Sequence, residues 1–210
     1  MLTNWLNYMV NKTNSTESVI LAAAKRIFSV KGKDGATMQE IANQAGINKA
    51  LLHYYFRTKD LLFEQVFFEE VKKFSPILKN AIAQDVDLYQ KIHNICGAYI
   101  LMALDNPFVP VFVVGEINKQ PDFFIHKMFD GDFPDFPKLA LQIDNEVKAG
   151  KIKHILPHHL IMNMMSMCVF PFLMKPMFIV GMGIDKEVFQ NLMLQRIKEV
   201  PKFIIDSIKI

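Results

Sequence analysis

The chain has 210 residues, 51% of them hydrophobic, a formal net charge of +3 and two cysteines. That length holds one sizeable core or a small domain joined to a larger one, and the apolar content excludes a mainly disordered chain. Cys96 and Cys168 lie far apart in apolar runs, outside any Cys-x-x-Cys pair or histidine cluster, so a disulfide scaffold and a zinc site are not expected.

The N-terminus lacks a basic region followed by a long apolar run, so no secretory signal is read and a cytoplasmic location is expected. Charge is uneven along the chain. Residues 1–60 carry eight Lys/Arg against four Asp/Glu, whereas the remainder carries 16 against 17. The positive excess therefore sits where a phosphate backbone would want it, although a solvated basic face gives the same count.

In chain order, Leu2, Trp5, Leu6 and Met9 recur at helical spacing, as in a short extra helix, a mobile arm or a frayed terminus. The first helix is expected to start near Ser15, because Asn14 to Glu17 has capping-box spacing. Its buried stripe is Ile20, Ala23, Ala24, Ile27 and Phe28, and Gly32 ends it.

Thr37 to Phe56 then reads as two short helices around a tight turn. Thr37 and Glu40 form a capping box, and Ile41, Ala42 and Ala45 give an apolar face. Gly46 stands where a helix ends in a left-handed residue. Ile47 is an apolar plug, and Asn48 caps the next helix, whose buried face is Leu52, Tyr55 and Phe56. A small Ala42 suits a close, steep helix crossing. These cap, small, glycine and plug positions are those of a DNA-binding helix-turn-helix. In that motif the second helix enters the major groove with its N-terminal half. With Leu52, Tyr55 and Phe56 turned inward, Asn48, Lys49, Ala50, Leu51, His53 and Tyr54 are left for DNA. Lys49 suits phosphate, Ala50 and Leu51 offer apolar contact such as to a thymine methyl, and His53 and Tyr54 suit phosphate or a base edge.

Residues about 15 to 66 resemble the N-terminal domain of the TetR family of bacterial transcriptional repressors. The resemblance is carried by Phe28, Gly32, Thr37, Ile41, Ala42, Ala45, Gly46, Lys49, Leu52, Tyr55, Phe56, Lys59 and Leu62, and most specifically by Lys49 to Lys59, KALLHYYFRTK. It implies an all-α homodimer, with a three-helix DNA-binding domain followed by a helical ligand-binding and dimerisation domain. It also implies phosphate clamping by Thr37 and Lys59. Leu51 and His53 depart from the family pattern, where a small hydroxyl residue and an aromatic are common, which bears on operator sequence more than on binding mode.

Thr58 caps the fourth helix, and Pro76 is expected to kink or end it. Further helices are expected over Leu88–Leu104, Phe108–Asn118, Lys138–Ala149, Pro157–Phe170 and Asp185–Ile208, the last interrupted near Pro201. Phe123 to Phe136 reads as a loop with a helical turn, and Lys175 to Gly183 as a loop or broken helix. Ile155 to Met174 has no charged residue and is long enough to span a bilayer. Its prolines, histidines, Asn163 and Ser166 instead favour a helix buried in a core or a dimer interface. His158-His159 lacks a ligand set and reads as a helix N-terminus feature.

Eighteen Phe and thirteen Met, mostly after residue 60, suit either an adaptable pocket or a plain core. By family analogy an effector pocket lies among the helices containing Tyr99, Phe112 and Met165, with His93, Cys96 and Glu116 as its polar groups. No catalytic motif, cofactor loop or metal set is found. The expected protein has a DNA-binding domain over 1–60, with 1–13 as an extension, and an effector and dimerisation domain over 61–210. Its expected partners are double-stranded DNA, a small apolar effector and a second copy docked through the 157–170 and 185–208 helices, with no membrane. An architectural factor without effector, or an apolar-ligand-binding protein, are the alternatives.

Overall fold

A computed structural model describes the backbone from Leu2 onward and side chains from Thr16 onward. Among these residues the chain forms ten α-helices and a π-helical turn, and the only β pairing is an isolated bridge between Ile152 and Lys209. It divides into two compact units at Glu70/Val71. The sequence-based division at residue 60 lies ten residues earlier. The later boundary follows from packing: Phe63 and Phe67, in the first turns of the fourth helix, lie 5.0 and 6.4 Å from the ring of buried Phe28.

The first unit contains α1 (Leu2–Gly35), α2 (Met38–Ala45), α3 (Lys49–Tyr55) and the start of α4 (Lys59–Ala83). The helix expected to begin near Ser15 is continuous from Leu2. The Asn14–Glu17 spacing does not act as a cap, because a cap needs a non-helical residue and the backbone there is helical. The expected stripe from Leu2 to Met9 lies outside the described side chains. Gly32 breaks the helix as expected, with φ 69° and ψ 178°. Ile20, Ala23, Ala24 and Phe28 are buried with Ile41, Ala42, Leu52 and Leu62. Lys25 donates to the buried Glu70 carboxylate at 3.0 Å, which removes the cost of an unpaired buried charge.

The second unit contains the rest of α4, α5 (Leu88–Asp105), α6 (Val109–Lys119), α7 (Pro121–Phe129), α8 (Phe136–Lys148), α9 (Pro157–Leu173) and α10 (Lys186–Ile208). Its core is Ile92, Cys96 and Ile100 of α5, Leu139 and Ile143 of α8, Leu160, Met164 and Phe172 of α9, and Phe189, Val200 and Ile204 of α10. The segment expected as a loop with a helical turn over 123–136 is helical for longer than expected: Pro121 starts α7 and Asp130, at φ 52°, ends it, and 130–135 is the loop. Pro76 does not end α4, nor does Pro201 interrupt α10; each lies inside its helix, and Pro201 is buried. No single described helix is long and apolar enough to cross a membrane, although α5 and α6, bent by 102°, pass that test as a pair.

Pro171 sits inside α9, where it lacks the N–H that would bond the Met167 carbonyl one turn earlier. Arg196 of α10 supplies the missing donor: its Nη2 donates to Met167 O at 2.7 Å. Arg196→Met keeps the apolar stem and orphans that carbonyl. It is expected to destabilise the second unit by about 1–3 kcal/mol in denaturant unfolding; an unchanged midpoint would show that solvent satisfies Met167 equally well.

Candidate nucleic-acid interface

The motif begins at Thr37, whose extended backbone (φ −118°, ψ 149°) lets its hydroxyl accept from Glu40 N–H at 3.2 Å. Thr37 N–H and Oγ1 in turn donate to Glu40 Oε2, at 3.0 and 2.9 Å. The clamp expected at Thr37 thus has both its own donors committed to Glu40. Lys31 also donates to that carboxylate. These bonds, the Lys31 one foremost, hold the Glu40 carboxyl down at about 2 against an ordinary 4.5.

A depressed carboxyl stabilises the fold above its unfolded value, and that contribution is lost as pH falls through the folded value. The capping box should therefore weaken between pH 4.5 and about 2. Glu40→Gln should flatten the stability profile of the first unit across that acid window. An unchanged slope would mean that the Lys31–Glu40–Thr37 cluster does not persist in solution.

The turn is closed at Gly46, with φ 67° and ψ 29°. Gly46 N–H donates to Asn43 O at 3.2 Å, and Ile47 N–H to Ala42 O at 3.0 Å. This pair of bonds satisfies the last carbonyls of α2 and needs a left-handed residue, which glycine adopts freely. A side chain here would meet no atom within 4 Å, so the requirement for glycine is conformational and not steric. Asn48 caps α3 by accepting Leu51 N–H on Oδ1 at 2.7 Å, leaving its amide hydrogens for another partner.

Helix α3 divides as its periodicity predicts. Leu52 is fully buried, Phe56 is buried and Tyr55 is half-buried. Asn48, Lys49, Ala50, Leu51, His53 and Tyr54 are all exposed, Tyr54 at 81%. A tyrosine so exposed, edge-on to Tyr55 at 5.5 Å, offers a hydroxyl and a ring face to a partner. Lys59 differs from the expectation of a free phosphate clamp in being half-buried. Its Nζ donates to Ala36 O at 3.0 Å and Asp34 O at 3.4 Å, which fixes the start of α4 to the end of α1 and the linker after it.

Apart from Lys59, the Lys and Arg side chains described in this unit fall into two groups. Lys25, Lys31 and Lys33 are held by Glu70, Glu40 and Asp60. Arg26, Lys49 and Arg57 are exposed and hold no side-chain partner among the described residues. Arg57, at the α3–α4 turn, is the residue that sequence reasoning missed; its signal was a cation between the last core aromatic and the Thr58 cap. An unpaired cation can neutralise a phosphate without first giving up another partner.

Neither of the two clefts along α9 and α10 gathers the body residues proposed for an effector. Cys96 is buried and hydrogen-bonded to the Cys168 thiol; that bond and burial push its pKa up, away from thiolate. Tyr99 lies edge-on to Phe74 at 5.8 Å, and burial pushes its hydroxyl up as well. Phe112 is buried against Phe124, centroids 5.7 Å apart. Glu116 pairs with Lys119 at 2.7 Å, while His93 is exposed and Met165 is 54% exposed. Two open clefts, of about 250 and 320 Å³, lie along α9 and α10 and are lined by none of these six residues. Among the described residues no cluster of three or more metal-ligating side chains occurs.

The description "Bacterial regulatory proteins, tetR family" matches residues 20–66, the stretch that holds most of α1, the motif and the start of α4. The chain is 36% identical to "Probable HTH-type transcriptional regulator YttP" of Bacillus subtilis over 67 residues, 32% of each chain. It is 27% identical to the HTH-type transcriptional regulator RutR of Escherichia coli O157:H7, over 93% of this chain and 92% of that one. It is 30% identical to the Staphylococcus aureus icaADBC negative transcriptional regulator IcaR, over 48% of this chain and 59% of that one. The matches to YttP and IcaR thus span about a third and under two thirds of those proteins' lengths.

Among solved structures, a TetR/AcrR-family regulator from Thermobifida fusca superposes with a TM-score of 0.65 at 12% identity, over 91% of this chain and 97% of that one. The Bacillus subtilis regulator FadR in complex with stearoyl-CoA gives 0.58 at 13%, over 90% and 98%. These two show a shared all-α fold. The chain is thus similar to TetR-family transcriptional regulators, over the helix-turn-helix segment 20–66 by the family match and over nearly its whole length in fold.

Proposed function

We propose that the chain is a cytoplasmic, homodimeric repressor that binds a near-palindromic operator and is released by a small apolar effector. The observation that carries this is the outer face of α3, where Lys49, Leu51, His53 and Tyr54 stand exposed beside an unpaired Arg57. A two-fold dimer places one α3 in the major groove of each half-site, about 10 base pairs apart, so the site mirrors that symmetry. Residues 1–60 carry the DNA contacts, and 61–210 carry the effector and the dimer interface.

Dimerisation through the 157–170 and 185–208 helices is supported by their outer faces. Met162, Met165, Phe170, Leu192, Leu194 and Phe203 are all exposed, although the opposite faces of both helices are already buried in the core. Apolar surface of this extent on paired helices suits burial in a four-helix bundle. Repression is supported by the likeness to IcaR, a negative regulator, and an apolar effector by the fold shared with FadR, solved with stearoyl-CoA. The effector acts by its differential affinity for the DNA-competent and released states, with α4 as the lever.

Selection of sites from random duplex DNA by the purified protein tests this reading. A two-fold symmetric site supports it, and binding without enrichment points to an architectural factor. No binding at all contradicts it and favours an apolar-ligand-binding protein.

A further inference from the structure

We propose that His53 reads the operator as a hydrogen-bond acceptor, so that each half-site carries adenine or cytosine on the strand His53 faces. The inference rests on the operator-binding reading above. His53 lies on the exposed face of α3, one residue before Tyr54. Its Nδ1 is 3.3 Å from the carbonyl oxygen of Arg57, the first residue past the Phe56 cap of α3. A carbonyl has no hydrogen to give, so the ring nitrogen facing it carries the hydrogen. A neutral imidazole has one N–H, and Nε2 is then left with a lone pair.

That assignment decides what His53 can recognise. In the major groove, hydrogen is offered only by the amino groups on adenine N6 and cytosine N4. Guanine N7 and O6 and thymine O4 are acceptors and would face the Nε2 lone pair. A phosphate oxygen is also an acceptor and mismatches in the same way. The neighbouring cations Lys49 and Arg57, both unpaired, are better suited to phosphate. His53 is thereby assigned to a base edge, and its bond to Arg57 O fixes the ring that does the reading.

The test is site selection by wild type and by His53→Ala at about pH 8.5, where imidazoles are neutral. The expected result is an adenine or cytosine in each half-site that wild type enriches and His53→Ala does not, with the rest of the site unchanged. On the selected duplex, an analogue lacking that amino group should weaken wild-type binding about three- to tenfold and His53→Ala not at all. Identical base preferences in the two proteins overturn the inference, as does a His53-dependent guanine or thymine. A loss of affinity uniform over all sequences also overturns it, and makes His53 a positioning residue for the turn. If wild type selects no DNA, the operator reading itself falls and this inference with it.

Discussion

Phe28→Ala is expected to destabilise the N-terminal unit by about 3–5 kcal/mol, the largest single-residue effect on folding foreseen in this chain. Phe28 is fully buried, and its ring lies 5.0 Å edge-on from Phe63 and 6.4 Å from Phe67. Phe63 and Phe67 themselves lie 4.5 Å apart, so truncation empties the middle of a three-ring cluster that joins α1 to α4. Collapse into the space is opposed by the Lys25–Glu70 and Lys33–Asp60 pairs, which hold the same two helices at a set distance. A unit of this size has only about 5–15 kcal/mol of stability to lose, so the variant should give up a large share of it. Denaturant unfolding followed by a probe in residues 1–70 measures this. A midpoint near wild type would mean that the cluster repacks without a cavity. The exposed Leu51→Ala should leave the same midpoint unmoved.

Removing Lys49 and Arg57 together should produce the largest loss of DNA affinity with the fold intact. Both are exposed and hold no partner among the described residues, so neither supports the domain internally. Each phosphate contact contributes about 0.9 to the slope of log K against log salt. Two cations from each subunit of a two-fold complex make four contacts, so the slope should fall by roughly 3.6, and affinity at moderate salt by a hundredfold or more. The loss should be uniform across operator sequences, since phosphate contacts carry no base information. An unchanged slope with altered base preference would place these side chains in the groove instead. Lys31→Ala and Lys33→Ala, whose cations are already neutralised by Glu40 and Asp60, should change the slope much less.

The DNA-binding unit was legible because its signals are local. A capping box at Thr37–Glu40, a left-handed Gly46 and the Asn48 cap are set by residues within a turn of one another, and each appears in the structure as read. The division of α3 into a buried Leu52 and an exposed Leu51 follows from period 3.6 alone. Where reading failed, the deciding contact was distant or the composition misled. Nothing near Pro171 in sequence foretells that Arg196 will supply its missing hydrogen bond. Over 123–136, the Asp, Gly and Pro content reads as a loop with a helical turn, yet Pro121 just before it occupies the first turn of α7, where proline costs no hydrogen bond. Pro201 was expected to interrupt a helix that continues through it, and Pro76 to kink or end one that does not end there. The six effector residues came from faces of several helices whose orientation is set by packing among α5, α6, α9 and α10. Only Cys96 and Phe112 of them are buried. Arg57 was passed over because a cation between two motif residues has no spacing rule of its own; it stands out only once Lys25, Lys31 and Lys33 are seen to be paired.

The outer face of α3 is proposed to lie in the major groove. Methylation protection on a selected operator tests it most directly, because guanine is methylated at N7 in the major groove and adenine at N3 in the minor groove. Protection of guanine N7 is expected in two half-sites about 10 base pairs apart, with adenine N3 left reactive between them. Protection at adenine N3 alone, or in a single unpaired half-site, would contradict it.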